Sequence, residues 1–443
     1  MEILLHWPVA QWINLLSTFY LEEVKMKKLI AILLTVVSVL SLFAGCGSGN
    51  STGGNGTKDG LKVAVLEETY GADVWEQVCD AFETQTGISV DLTVGKNLEE
   101  LVSSNPDVVH SGSASDVTEQ LIKDKKLYEL NNVLASTIPG ETVTVADKVE
   151  DGFLDSSLTM PYGDGKTYLA PVFYSPYGLF YNAGMFSEKR WGVPGTWDEM
   201  WVLADTALDE GIYLFSYPTT EHLESFMCAL IYSIGGPDFY NAVAAGDEGV
   251  WDTKEARNLT KILERLAKYT HPATASQANS QNYTKNQLLV MENEAIFMPN
   301  STYVTSEMLM EEQSFTHNFG WGMTTLPAAS VDSAAYSYCT IEQIWIPADA
   351  EKKSEAEQFI AFLYSDEAAK LFAAKGAIQP IKNSSSIVDS SAKRYYSLFD
   401  NGAKAALGGS AANSVLADSF GKLVDGTIKA GELLTTVKAA GAQ

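Results

Sequence analysis

Five histidines, at positions 6, 110, 222, 271 and 317, occur singly, with no spacing that sets two of them on one helical face. A metal site is therefore not expected. Gly165-Lys166-Thr167 has the tail of a phosphate-binding loop, but the earlier glycine that such a loop needs would fall at Met160. No His-Glu-x-x-His or complete Gly-x-Gly-x-x-Gly pattern occurs, and Gly-x-Ser-x-Gly occurs as Gly49 to Gly53, in a Gly/Ser-rich stretch with no strand before it or helix after it to build a nucleophile turn. Two chemistries that leave no short motif stay open. Glycoside hydrolysis needs only two carboxylates at the right separation, and an acidic cleft formed by Glu67, Glu68, Glu221 and Glu224 would suit a cation. A third possibility is recognition without catalysis. A pyranose has an apolar C–H face and a rim of hydroxyls, so its site needs flat aromatics and amide, carboxylate or hydroxyl groups. The chain has 9 Trp, 20 Tyr and 18 Phe, of which most must be core.

Sulfur chemistry narrows to one position. Cys79, Cys228 and Cys339 have no C-x-x-C spacing and no clustering, and are expected to be buried apolar thiols rather than a disulfide framework. Cys46 differs, because it ends a basic start (Met26-Lys27-Lys28), an apolar run from Leu29 to Leu42, and Phe43-Ala44-Gly45. That order is an export signal, too short to span a bilayer comfortably. It resembles a bacterial lipoprotein signal (26–45), which implies cleavage before Cys46 and lipidation of its sulfur. Residues 1–25 precede the signal and are read as an over-long start, the alternative being an extra apolar segment that alters targeting. From Cys46 to Gly60 the chain is rich in Gly, Ser, Asn and Thr, the composition of a flexible tether.

Residues 46–443 are enough for two ordinary domains. The segment before Cys46 has three acidic and three basic side chains, so the remainder keeps the whole net charge of −26. That charge argues against a nucleic-acid partner.

The elements that would position any site alternate between strand and helix. Leu61, Val63 and Val65 read as a strand, and Asp73 with Glu76 as the capped start of a helix ending at Thr86-Gly87. Ile88 to Val94 reads as the next strand, and Pro106-Asp107-Val108-Val109 as a buried parallel strand. Thr196-Trp197-Asp198-Glu199 is a capping box opening a helix towards Gly211. Helical spacing also marks Glu221–Ser233, Lys254–Tyr269, Ala350–Tyr364 and Asp366–Lys375. Ligands in open α/β sheets sit beyond the carboxyl ends of strands, which points to the segments after Leu66 and Val109.

Several patches carry a family resemblance in order along the chain: Phe82-Glu83 with Thr86 to Val90, Pro106 to Val109, Gly165 to Pro171 with Gly178 to Asn182, Ala295 to Tyr303, Gly322 to Pro327, and Gly376 to Pro380. Together they resemble the solute-binding lipoproteins of bacterial carbohydrate importers, the maltose-binding-protein class. The resemblance implies an α/β fold of two lobes joined by crossing hinge segments, with a ligand cleft between them. It implies lobe 1 over 61–172 and 341–378, and lobe 2 over 176–336 and 381–443. It also implies capture of a sugar or oligosaccharide without catalysis, and delivery to an ABC permease with its ATPase. No cofactor, a monomeric state and a lipid-anchored place on the extracytoplasmic face of the membrane are expected. A polyamine, amino acid or metal complex remains the alternative ligand, and a lipid-anchored glycoside hydrolase the enzymatic rival.

Position selects the candidate ligand contacts. Tyr303 stands where the resemblance places a stacking aromatic, and Tyr174 lies past the first crossing, with hinge packing as its alternative role. Glu68 and Tyr70 follow the first strand, and Ser111 and Ser113 the third. Glu221, His222 and Glu224 head a helix whose counterpart in the family touches ligand. Trp251 and Glu342 complete the candidates, Trp251 having packing as its alternative.

Overall fold

The computed structural model describes residues 60–67, 71–112, 115–247, 249–314, 318–389, 392–409 and 411–441. The signal, Cys46 and the tether up to residue 59 lie outside the described residues, as do Glu68, Tyr70 and Ser113.

The opening is a β-α-β unit. Strand β1 (Leu61–Leu66) lies parallel to β2 (Val90–Gly95) and to β3 (Val108–Gly112). Helix Ala72–Thr86 joins β1 to β2 and buries Val74, Trp75, Val78, Cys79 and Phe82. Its stop matches the expected one. Gly87 takes φ 76°, the left-handed backbone that glycine adopts at no steric cost, and its N–H donates to the Glu83 carbonyl at 2.8 Å. Its start differs from the expected capping box. The N-cap is Gly71, and the Asp73 carboxylate instead accepts from Lys375 at 2.5 Å. At the other end of β3, buried Asp107 accepts backbone N–H bonds from Lys62, Glu351 and Lys352, each 3.0 Å long, tying β1 and β3 to the start of helix Lys353–Leu363.

Two long strands carry the chain between lobes. Strand β4 (Ala170–Asn182) pairs with β8 (Tyr336–Trp345) through Ala170 to Pro176. It then pairs with β6 (Ala295–Ser301) and β7 (Trp321–Thr324) through Tyr177 to Asn182. β8 likewise pairs with β9 (Lys404–Ala406) at Tyr336 to Tyr338 and with β3 at Glu342 to Trp345. The path through the sheet is β2-β1-β3-β8-β4-β6-β5, with β5 spanning Tyr213–Phe215. Gly322-Met323-Thr324 thus lies within the second lobe as β7, and the crossing that follows is made by β8. A third connection runs beside Ile378, whose carbonyl accepts from the Tyr174 N–H at 2.9 Å.

Helix Thr220–Ala244 runs past the expected end at Ser233, because Gly236 (φ 70°, ψ −169°) breaks the helical backbone ahead of Pro237 and the helix then resumes. Helix Trp197–Asp209 begins with the expected Thr196/Glu199 capping box. Three apolar cores result among the described residues. The first packs Trp75, Phe82, Phe173, Phe359 and Phe362 and continues through the crossing strands to Phe180, Tyr395 and Phe399. The second packs Trp197, Phe226, Trp251, Phe297 and Phe420. A small third surrounds Trp345 with Leu98, Leu101 and Val109.

Candidate functional site

Strand register locates the site. Gly112, at the carboxyl end of β3, lies opposite Glu342, so that end abuts the part of β8 that leaves for the second lobe. In the second lobe, Ser301 at the carboxyl end of β6 lies opposite Tyr177, the residue at which β4 arrives. Strand β5 is parallel to β6 and ends on the same side. The carboxyl ends of both lobes therefore converge on residues 174–177 and 338–342, where an open α/β sheet offers its binding crevice. Thr340, exposed between buried Cys339 and Ile341, lies on this junction.

The second-lobe wall is aromatic and polar. Tyr177 meets Tyr338 nearly edge-on, with ring centroids 5.2 Å apart, and lies 6.3 Å from His222. His222 sits in the first turn of helix Thr220–Ala244, whose N-cap Thr219 accepts from the His222 N–H and shares a 2.8 Å hydrogen bond with Nδ1. Burial pushes the imidazole below its ordinary range, opposed by the Asn300 side chain and the charges of Glu221 and Glu307. Burial also raises Tyr177 and Tyr338. Buried Asn300 closes β6, with Oδ1 accepting from the Ser301 N–H at 2.8 Å and Nδ2 without a partner among the described residues. Just beyond, Tyr303 is 72% exposed in the turn after β6, while Glu307 accepts from Tyr283 at 2.6 Å and Gln287 at 2.7 Å. Glu221 is exposed and Glu224 half-buried on the same helical turn region.

On the first-lobe wall, Glu342 keeps 15% of its side chain exposed, and its Oε2 lies 2.9 Å from Nε2 of buried His110 without hydrogen-bond alignment. Glu67 and Lys96 follow β1 and β2 and form an exposed ion pair at 3.7 Å.

Three expected contacts take internal positions instead. Ser111 is fully buried, and its hydroxyl accepts from the Trp345 indole at 3.2 Å, on the sheet face opposite to His110 and Glu342. Tyr174 is enclosed by Phe153, Tyr396 and Phe399, with its hydroxyl 3.1 Å from Ser384, so it packs the hinge. Trp251 is buried in the second core next to helix Lys254–Lys268. The structure brings Glu221, His222, Glu224, Tyr303 and Glu342 to the junction, and adds Tyr177, Tyr338, Asn300 and His110, which sequence reasoning passed over. Alternation within β4 puts Tyr177 one residue before the patch that drew attention.

A 420 Å³ concavity lined by Glu141, Lys148, Asp366 and Lys382 includes none of these groups. Among the described residues, no cluster of three or more His, Cys, Asp or Glu could hold a metal, and no helix is long and apolar enough to cross a membrane.

Residues 67–370 match the family model of bacterial extracellular solute-binding proteins. The chain is 22% identical over 341 residues to the diacetylchitobiose binding protein NgcE of Streptomyces coelicolor, covering 73% of this chain and 70% of that one. Its fold is similar to the solute receptor AcbH, whose reported preference is β-D-galactopyranose (TM-score 0.66, 14% identity, 86% of this chain and 96% of that one). It is also similar to the sugar-binding protein MalE of Xanthomonas citri (TM-score 0.61, 15% identity, 86% and 97%). With two lobes meeting at a cleft formed by strand ends, and a family match spanning most of its length, this chain belongs to the bacterial extracellular solute-binding proteins.

Proposed function

We propose that the protein captures a sugar or oligosaccharide between its lobes, closes on it, and delivers it to the permease of an ABC importer driven by a separate ATPase. The observation that carries this reading is the meeting, at one junction, of aromatic and polar groups suited to a pyranose: Tyr177, Tyr303, His222 and Asn300 from one lobe and Glu342 from the other. A ligand that touches both walls favours the closed state by its differential affinity, which is what a permease needs in order to tell loaded from empty. The ligand contacts are Tyr303, His222, Glu342 and Tyr177, with Glu221 and Glu224 at the rim. The lobes span 61–172 with 341–378 and 176–336 with 381–443. Cys46 carries the lipid anchor, leaving the body tethered at the extracytoplasmic face, and the protein performs no catalysis. The relative named for diacetylchitobiose supports including N-acetylated sugars among the candidates.

A thermal-shift screen of residues 47–443 against mono- and oligosaccharides, amino acids, polyamines and metal ions tests this. A saturable upward shift with one intact glycan is the expected result. A polyamine, amino-acid or metal-ion hit overturns the sugar, and cleavage of the glycan overturns the absence of catalysis.

A further inference from the structure

His110 and Gly112 lie on one face of β3, and their partners Ile344 and Glu342 lie on the same face of β8, which makes Glu342 the diagonal neighbour of His110. Helix Ala72–Thr86 covers that face with Trp75, whose ring centroid is 4.9 Å from the imidazole, and Phe173 stands 5.7 Å away on β4. Phe372 contacts both of those aromatics. The imidazole is thus held in an aromatic cage at 2% side-chain exposure, and among the described residues neither of its nitrogens has an aligned hydrogen bond. Beside it, Glu342 has one oxygen sealed from solvent at 2.9 Å from Nε2, while its side chain keeps 15% exposure and its register opposite Gly112 sets it at the junction. A buried carboxylate oxygen without a donor is costly, and the imidazole of His110, with Nε2 2.9 Å away, is able to supply one. A second feature marks the same place. Between Pro171 and Phe173 the β4–β8 register shifts, so that Phe173 comes to lie opposite Glu342. Irregularities of this kind re-aim side chains and concentrate beside functional sites.

We propose that His110 is the positioning residue for Glu342: caged by Trp75 and Phe173, it donates through Nε2 to the sealed carboxylate oxygen and fixes the other oxygen as acceptor for ligand hydroxyls. This rests on the sugar-capture reading and deepens it, because it makes the first-lobe wall a preset acceptor for a donor-rich ligand face. His110 itself touches no ligand.

The test is titration calorimetry of residues 47–443 with diacetylchitobiose, maltose, raffinose and galactose, for the wild type, His110→Ala, His110→Gln, Glu342→Gln and the double variant His110→Ala/Glu342→Gln. The His110→Ala variant is expected to lose about tenfold in affinity for the sugar that binds, the scale of a hydrogen bond to a charged group. His110→Gln, whose amide N–H can stand where Nε2 stood, restores affinity to within about threefold, since one N–H donor replaces another. The double variant binds no more weakly than Glu342→Gln, because the two residues act as one unit. Saturating sugar also shifts the His110 ring resonances in nitrogen-15 spectra. If wild type binds but His110→Ala and His110→Gln bind equally well and merely melt lower, the pair is a folding element and this proposal alone falls. If wild type binds none of the four sugars and the thermal-shift screen returns a polyamine, amino acid or metal ion instead, the sugar reading falls and takes the proposal with it.

Discussion

The rings of Tyr177 and Tyr338 meet at 80° with centroids 5.2 Å apart, one from each of the two strands that carry the chain between lobes. Tyr177 lies opposite Ser301 at the end of β6, and Tyr338 lies opposite Ala406 of β9. The contact therefore joins the crossing strands on the second-lobe side of the junction. Edge-on aromatic pairs contribute about 0.5–1.5 kcal/mol beyond their buried area. The pair ties the two crossing strands to each other where they enter the second lobe.

Tyr303→Ala should weaken sugar binding more than it weakens folding. The ring is 72% exposed, so its loss should change unfolding free energy by no more than about 0.5 kcal/mol. A stacking platform for a pyranose should cost roughly tenfold or more in affinity when removed. Urea denaturation and calorimetry on the same variant separate the two, and a large drop in stability with unchanged affinity would make Tyr303 a structural residue.

The architecture was legible because its signals are local and repeated. Alternating Leu61, Val63 and Val65, the glycine stop at Gly87 and the Thr196/Glu199 box each follow from backbone chemistry within a few residues. The site was only partly legible, because facing direction in a strand changes with every residue. Ser111 and His110 are neighbours in sequence, yet one is used by Trp345 and the other lies beside Glu342. Nothing local distinguishes Tyr174, sealed against Phe153 and Phe399, from Tyr177, three residues on and beside His222. That difference arises where β4 exchanges β8 for β6, a tertiary event.

Stability should fall as pH drops from about 7 to 5, and His222 should account for part of the loss. Burial holds the folded imidazole below its unfolded value of 6.5, so the unfolded chain binds more protons through the interval beneath 6.5. Its contribution is complete above 6.5 and is lost as pH falls through that interval. His271, also lowered by burial, acts in the same sense. The Asp366 carboxyl is lowered chiefly by its hydrogen bond from Lys148, and its contribution disappears only below its unfolded value of 3.8. Melting temperatures of the wild type and His222→Gln across this range test the assignment, since the variant should show a shallower slope between pH 7 and 5 and the same slope below 4.

Lys148→Met should destabilise the first lobe by about 1–3 kcal/mol, less than a fully buried pair would lose, because Asp366 is largely exposed. Lys148 donates to both Glu141 oxygens at 2.7 Å and to Asp366 at 2.6 Å, while the Asp366 N–H donates to Glu141 at 2.6 Å. Removing the cation leaves two facing carboxylates with only the weaker Lys370 charge acting on Asp366. The deficit should shrink in Lys148→Met/Glu141→Gln, and chemical denaturation of the two variants side by side measures it. Equal losses in both would show that the cluster contributes through packing of the lysine stem.

The three described cysteines should stay unreactive until the chain unfolds. Cys79, Cys228 and Cys339 are free and buried. Burial, assisted by nearby Glu83, Asp80 and Glu76, pushes the Cys79 thiol up to about 12. Burial raises Cys228 to the same value against hydrogen bonds from Tyr240 and Asn413, and it lifts Cys339 well above the ordinary range. Since the thiolate is the attacking species, a thiol reagent at about pH 8 finds almost none of it in the folded state. Residues 47–443 should therefore release no chromophore from Ellman's reagent while native, and three equivalents in concentrated guanidinium chloride. Fewer than three in denaturant, restored by prior reduction, would establish a disulfide, and rapid native labelling would show that one of these cores opens readily to solvent.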